Sequence, residues 1–489
     1  MKYFTAILIT LALLSVSCSK TKEAEVVQGM STETISVGET PFSMSEVQVP
    51  VFPDRVFPIN KYGARALPAD SSGYSSAIDS SRVIRTNNTA IDQAIQACHN
   101  SGGGHIVIPR GEWLCSAIYL KSNCDLYLSE GAVLVFSDNP DDYLEEVMST
   151  WEGIECMNYS PLIYACDSHN VGISGTGTLR PIMTYWQKWF EDTPEHLKGL
   201  RQLFNWGTFG EIFYKRNMSG RRNQLRPHLI QFYQCSNVIL QDFKIRESPF
   251  WTIHMYRCEE GLARNLDVSA HGKDNCGIAL EMTRRFVVED CTFDQSDDAI
   301  VIKSGRNHEG WRVNQPSEYI VVRNCTVKHG KAFLGIGTEL SAGIRNVYMH
   351  DCRATGDVET MFYIKTNNRR GAFVDNVTME RCEATTMKRG LAIDTDVLYK
   401  WRNVAQSFKD SLTAISNITM RDIKCQKAIG LVDLNGDKNL PVKNVTVSNI
   451  KIDSISSFLS HVANVKGYKE DSISYNWYGH TGERIEIEK

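Results

Sequence analysis

The 489-residue chain has no excess of basic residues, and its formal net charge is −4. A nucleic-acid partner calls for a basic face, so none is expected. There is no Cys-x-x-Cys pair and no Cys/His cluster with zinc spacing. No metal and no cofactor are therefore expected. The apolar run Phe4 to Val16 is too short to span a bilayer. Helical periodicity is almost absent from the repeated segments described below. What remains is 42% hydrophobic and 22% charged, ample for a large core. Length alone would suggest two or three domains, but elongated repeat folds escape that rule.

Lys2 and the apolar run form a targeting segment. The run ends Leu14-Ser15-Val16-Ser17-Cys18 and is followed by polar residues. This resembles a relaxed bacterial lipoprotein signal with Cys18 as the lipid anchor; an ordinary cleaved signal is the alternative. The expected location is the outer membrane, held by lipid alone, with the leaflet open. Residues 19–51 read as a polar tether, and 52–489 as one domain.

Thirteen further cysteines are spread along that domain. Five recur in one setting: Cys291, Cys325, Cys352, Cys382 and Cys425 each follow a short β-rich run. A buried ladder of Cys acting as a small hydrophobe fits this better than a full disulfide framework. The runs themselves repeat: NVILQDFKI from Asn237, FVVEDCTF from Phe286, NVYMHDCRA from Asn346, NVTMERCEA from Asn376 and NVTVSNIKI from Asn444. Second runs such as AIVIKS, LGIGTE and FYIKT lie between them. Short β-branched strands with Gly, Asn and Asp turns, recurring at roughly 25 to 35 residues, predict an all-β parallel β-helix. A helix is predicted from Thr86 to Cys98, ended by Gly102 to Gly104. It would cap the open N-terminal end of the solenoid.

The most specific segment is FDQSDDAIVIKSG, Phe293 to Gly305. Adjacent carboxylates repel, so a structural site rarely sets two beside a buried strand. Acid/base chemistry needs two carboxyls close together. Strand neighbours point to opposite faces, so Asp297 and Asp298 can share a cleft only where the chain bends.

With NKYGARA, TAIDQAIQAC, GGGHIVIPRGEW, PHLIQFYQCSNV and DDAIVIKSG, the chain resembles the polygalacturonase family, glycoside hydrolase family 28. The resemblance runs from about Ile59 to about Asp453. It implies a right-handed parallel β-helix that hydrolyses galacturonan or rhamnogalacturonan chains with inversion. It implies Asp297 as the proton donor and Asp298 as a base that holds water. Three positions depart from the family. Its third Asp is Cys276 here, with Asp274 two residues away as a partial substitute. Its His is Lys331, although His329 lies nearby, and its Arg is Tyr363, while Lys365 is kept. Cys276, the Asp pair, Lys331, Tyr363 and Lys365 should form one stripe across consecutive coils. Loss of the Arg fork and gain of a ring point to a substrate other than plain polygalacturonate.

Substrate contacts are also expected from Lys303, Arg306 and Arg369, with Arg312, Arg370 and Trp311 as further candidates. An insertion, about 185–226, is rich in aromatics and includes Arg221, Arg222 and Arg226. It suits an acidic sugar chain or, equally, a satellite core with a solvated edge. A blocked cleft, and hence exo action, is preferred. His254 and His271 are groove candidates, a core role being the commoner outcome for a lone His. Two other functions stay open: an inactive glycan-binding β-helix, and a lyase with Lys331 as base.

Overall fold

The repeated runs open on asparagine for a backbone reason. In the computed structural model, which describes residues 30–68, 80–397 and 411–477, Asn237, Asn346, Asn376, Asn417 and Asn444 have φ of 52 to 56°. Asn tolerates this left-handed conformation better than most residues with a side chain. The amides stack from coil to coil: Asn376 Nδ2 donates to Asn346 Oδ1 at 2.7 Å, and Asn444 Nδ2 to Asn417 Oδ1 at 3.0 Å. Asp290, Asn324, Asp351, Arg381 and Asp422 form a second left-handed corner. The corners bend each coil so that every strand pairs in parallel with its equivalents on either side. Ile278–Glu281, for example, lies between Ile253–Tyr256 and Ile300–Lys303. The result is a right-handed parallel β-helix.

The cysteine ladder occupies the position after the second corner. Cys291, Cys325, Cys352 and Cys382 are buried free thiols. Cys425 is not a rung: Cys382 registers with Ile423, and Cys425 with Ala384. The sequence phrase there is shifted by two residues, which keeps the side chain inward. All thirteen cysteines from Cys98 to Cys425 are free.

The N-terminal cap is longer than its sequence signal. Helix α1 spans Ser80–Asn100 and buries Ala90, Ile91, Ala94, Ile95 and Cys98 in the main core, with Ile84 in a smaller cluster beside Leu114 and Val135. The expected tether differs more. Residues Ser31–Ile35 (β1) and Val47–Val51 (β2) form an antiparallel hairpin. Its Ile35, Val37, Val47 and Val49 pack on Ile239, Leu262, Val287 and Val321 of four successive coils. The alternating apolar residues of β2 give the burial that a tether lacks. Cys18 and the targeting segment lie outside the described residues.

One turn of the coil, from its third strand back to its first, changes along the molecule. In the early coils it carries insertions. One is the antiparallel hairpin Val147–Trp151 with Ile154–Asn158. Another lies between strands Thr178–Pro181 and Ile230–Tyr233 and includes helix α2, Pro194–Phe209. In later coils the turn is short enough for the strands to fuse, as in Arg353–Lys365 and Phe373–Asp394.

Candidate active site

Asp297 and Asp298 sit in that same turn on a middle coil, in a bend between strands Thr292–Gln295 and Ile300–Lys303. The bend supplies the geometry a straight strand forbids, and both carboxyls line one cavity of about 530 Å³. All ten residues expected at the site line it: Asp274, Cys276, Asp297, Asp298, Lys303 and Arg306, with Lys331, Tyr363, Lys365 and Arg369.

The two acids have unlike surroundings. Asp298 is 2% exposed, and its Oδ2 is paired with the buried Lys365 ammonium. Its Oδ1 has no hydrogen-bond partner among the described residues. Asp297 is 17% exposed and lies 3.2 Å from Lys331 Nζ. Burial raises the Asp297 pKa, the neighbouring Asp298 raises it further, and Lys331 and Lys365 offset only part of this. Burial acts to lower the Lys331 pKa, but Asp297 outweighs it and holds the ammonium above its usual value.

The three positions expected to depart from the family pattern are of different kinds. Gly277 N donates to Asp298 O at 3.0 Å, so Cys276 lies one coil before the acids, as expected. It belongs to the apolar cluster that holds Trp151, Leu200 and Val301. Burial, then Asp297 and Asp298, push its pKa well above the usual value, so it is a neutral wall and cannot replace a carboxylate. Asp274 does not compensate fully. It is held at 2.8 Å by Arg226, whose guanidinium lies over the Phe190 and Phe250 rings. His329 is turned away from the acids and pairs with Asp294 at 2.9 Å, as His271 does at 3.0 Å.

The single stripe is corrected by the register. Gly330 and Ala332 pair with Val358 and Thr360, which sets Glu359 beside Lys331. Tyr363 instead pairs with Gly335, further along the strand. The two rows meet because Asp298 leans over Gly335. A Cβ there would sit 2.7 Å from Asp298 Oδ2, so only glycine leaves room for the acid. The Tyr363 ring carries Lys365 at 5.3 Å and Arg389 at 4.8 Å.

Two expected substrate cations are already neutralised. Lys303 Nζ and Arg306 Nη2 lie 2.7 and 2.6 Å from opposite oxygens of Glu339. Burial acts to raise the Glu339 pKa, but Lys303, Arg306 and Arg370 together hold it well below the usual range. Lys303 also lies over the Trp251 ring and Arg306 over Phe204. These two therefore shape the floor more than they attract an anion. Arg312 is similarly committed to Glu155 and Glu309, and Trp311 Nε1 donates to Arg370 O at 2.8 Å. His254 is a core residue, 2.9 Å from Glu281.

The insertion is mainly a satellite core. Trp186 and Trp189 are buried in the main core, and Leu200, Leu203 and Phe204 pack on Trp151 and Ile154. Arg221 is tied to Asp141 at 2.7 Å. Only Phe204, Gly207 and Thr208 of α2 reach the cavity, and they wall its N-terminal side. Sequence reasoning missed Glu359, Arg389 and Trp251 as lining residues, because only strand register brings them to the acids.

Residues 208–473, more than half of the chain, match the family model described as "Glycosyl hydrolases family 28". The chain belongs to this family. It is thus a glycoside hydrolase, and its β-helix is the fold of its relatives. It is 23% identical over 363 residues to a "Probable polygalacturonase" of Vitis vinifera, covering 72% of this chain and 67% of that protein. It is 23% identical to an "Exo-poly-alpha-D-galacturonosidase" of Dickeya chrysanthemi, covering 53% of this chain and about half (46%) of that protein. The solved exopolygalacturonase of Thermotoga maritima superposes with a TM-score of 0.78 at 29% identity, over 90% of this chain and 94% of that one.

Proposed function

We propose that this family 28 hydrolase cuts acidic pectic chains, of galacturonan or rhamnogalacturonan type, by single displacement with inversion, working from one chain end. The observation that carries the reading is the unlike pair in one bend: Asp297, whose pKa burial and Asp298 raise, beside Asp298, paired with Lys365. Asp297 gives its proton to the glycosidic oxygen as the C–O bond breaks. Water attacks the anomeric carbon from the opposite face and passes a proton to Asp298, whose buried Oδ1 has no partner among the described residues. One proton is donated and one gained, and solvent exchange restores the pair. Lys331, whose partner Asp297 is neutral in its acid form, supplies positive charge for a uronate group in the cavity.

End-wise cutting is supported by the wall of α2 on one side of the cavity, and by the likeness to the Thermotoga exopolygalacturonase. Tyr363 in place of the family's Arg supports a preference other than plain polygalacturonate. A lyase reading is disfavoured because Lys331, the base named for it, has a pKa held above its usual value rather than lowered. The test is a panel of acidic oligosaccharides, with Asp297→Asn run beside the wild type. Release of inverted reducing ends, lost in the variant, is expected. An ultraviolet-absorbing unsaturated product would mean a lyase. Plain polygalacturonate as the best substrate would remove the altered preference, and sugar release unaffected by Asp297→Asn would remove the mechanism.

A further inference from the structure

The row that carries Asp297 continues beyond it with alternating charge. Lys331 N donates to Asp297 O at 3.1 Å, which sets Lys331 one coil after the acid. Gly330 and Ala332 pair with Val358 and Thr360, which pair in turn with Met387 and Arg389. Glu359 therefore follows Lys331, and Lys388 follows Glu359. At about 4.8 Å per coil, the row reads acid, cation, carboxylate, cation over about 14 Å.

Lys331 and Glu359 both line the catalytic cavity, but they offer different things. Lys331 is 54% exposed, and its charge is unmatched once Asp297 is in its acid form. Glu359 lies 2.8 Å from Lys388 Nζ, and together they are neutral. One uronate is attracted at Lys331, and the next coil brings no spare cation in this row.

The row beside it balances in the same way. Tyr363 lies one coil after Gly335, over which Asp298 leans. Two cations lie over its ring, Lys365 at 5.3 Å and Arg389 at 4.8 Å. Lys365 is paired with Asp298. Arg389 Nη1 lies 3.2 Å from Asp433 Oδ2, and its Nη2 donates to Thr360 Oγ1 at 3.1 Å. Asp433, from the following coil, is itself fixed. Asn435 Nδ2 donates to its Oδ1 at 3.0 Å, and His461 Nδ1 lies 3.2 Å from the same oxygen. Arg389 thus reaches the cavity with its charge already matched. Tyr363 offers ring carbons and a hydroxyl, which suit the C–H groups and hydroxyls of a sugar.

A uniformly acidic chain brings a carboxylate on every unit. At Tyr363 that carboxylate would shed water without gaining a cation, a cost that selects against it. We propose that the cavity holds one uronate, at Lys331, and beside it, at Tyr363, an uncharged sugar unit. Asp433 is the positioning residue that keeps Arg389 from serving as a second uronate-binding cation. The proposal rests on the acidic-glycan reading above and names its substrate class. That class is a chain whose charge is interrupted, either by a neutral sugar or by an esterified uronate.

Three oligomers of equal length test it: uronate throughout, uronate with alternate carboxyls esterified, and uronate alternating with a neutral sugar. Wild type should cleave an interrupted oligomer with kcat/KM about tenfold above that of the fully acidic one. Which of the two it prefers identifies the uncharged unit. Asp433→Asn frees Arg389 and should shift the ratio of kcat/KM about tenfold toward the fully acidic oligomer. The ratio does not depend on the fraction of the variant that folds, so lost stability alone leaves it unmoved. Where Asp433→Asn yields no active protein, Glu359→Gln, at a residue 51% exposed, frees Lys388 and reads the same shift. A ratio that stays unmoved overturns the part played by the matched charges. Wild type that prefers the fully acidic oligomer overturns the uncharged unit and leaves the acidic-glycan reading intact. Wild type that cleaves none of the three overturns both.

Discussion

The turn between the third and first strands is built in two ways in this molecule. In the early coils it is long and apolar, with α2 and the Val147–Asn158 hairpin folded into a satellite core. In the late coils it is absorbed into strands such as Phe373–Asp394 and leaves an open trough. The acids sit where one form gives way to the other. The β-helix core sets the strands and corners strictly, because every coil must stack on the next. The turn is free to vary because it faces solvent. The acids therefore lie between a walled stretch of this turn and an open one.

The comparison breaks most completely at the junction. Asp297→Asn should lower turnover by about 10³-fold, as expected for loss of a general acid, read as reducing-end release. The same substitution sharpens the assignment through stability. The Asp297 pKa is raised in the folded protein, so its favourable contribution is complete at low pH and is lost as pH rises through the folded value. The Asn variant lacks this loss. Its melting temperature should gain on the wild type as pH increases across the carboxylate range. A gap that shrinks with rising pH would mean that Asp297 is not the protonated partner.

Much of the fold was legible from these particulars. Asn-led runs gave the corners, Phe293–Gly305 gave the acids, and Thr86–Cys98 gave the cap. The misses have a shared cause. Cys425 looked like a ladder rung, although only register shows that Ile423 takes that place. Tyr363 was set in the wrong row for the same reason, and Glu359 was overlooked. Spacing within one coil is written in the chain, but alignment between coils depends on turn lengths that packing decides. Charges misled differently: Lys303 and Arg306 read as substrate cations because their partner, Glu339, is distant in sequence.

The wall should yield next. Phe204→Ala removes a buried ring from the satellite core and should cost about 3 kcal/mol, measured by denaturant unfolding. With the wall loosened, internal bonds gain access, and the products should shift from single-end release toward mixed oligomers. A destabilised variant that still releases only end units would mean that the wall does not decide the cutting mode.

Gly335 tests the first open coil. A methyl group there meets Asp298 Oδ2 at 2.7 Å, so Gly335→Ala should displace Asp298 or its Lys365 partner. Misplacement on the order of 1 Å costs about 100-fold in rate. Turnover should fall by that order while KM for short oligomers changes little. A matching rise in KM with turnover unchanged would assign the position to binding.

The last test belongs to the core that both regions share, where no change in cutting is expected. Glu281 lies beneath the cavity, 2.9 Å from His254, and its Oε1 accepts from Gly305 N at 3.0 Å. Burial, then Glu339, push its pKa up to about 8, while burial, then Lys303, push His254 down to about 3. The pair is therefore neutral across the middle pH range, an acid sharing a hydrogen bond with an imidazole. Gln reproduces both contacts without titrating. A carboxyl raised from 4.5 to about 8 contributes fully below 4.5 and loses that contribution as pH rises toward 8. Glu281→Gln should thus match wild type in stability near pH 4 and exceed it by about 1 kcal/mol one unit higher than the unfolded pKa. The gap should widen up to about pH 8 and then level off. A gap that opens only on the acid side would mean that Glu281 is buried as a carboxylate, ion-paired to a protonated His254.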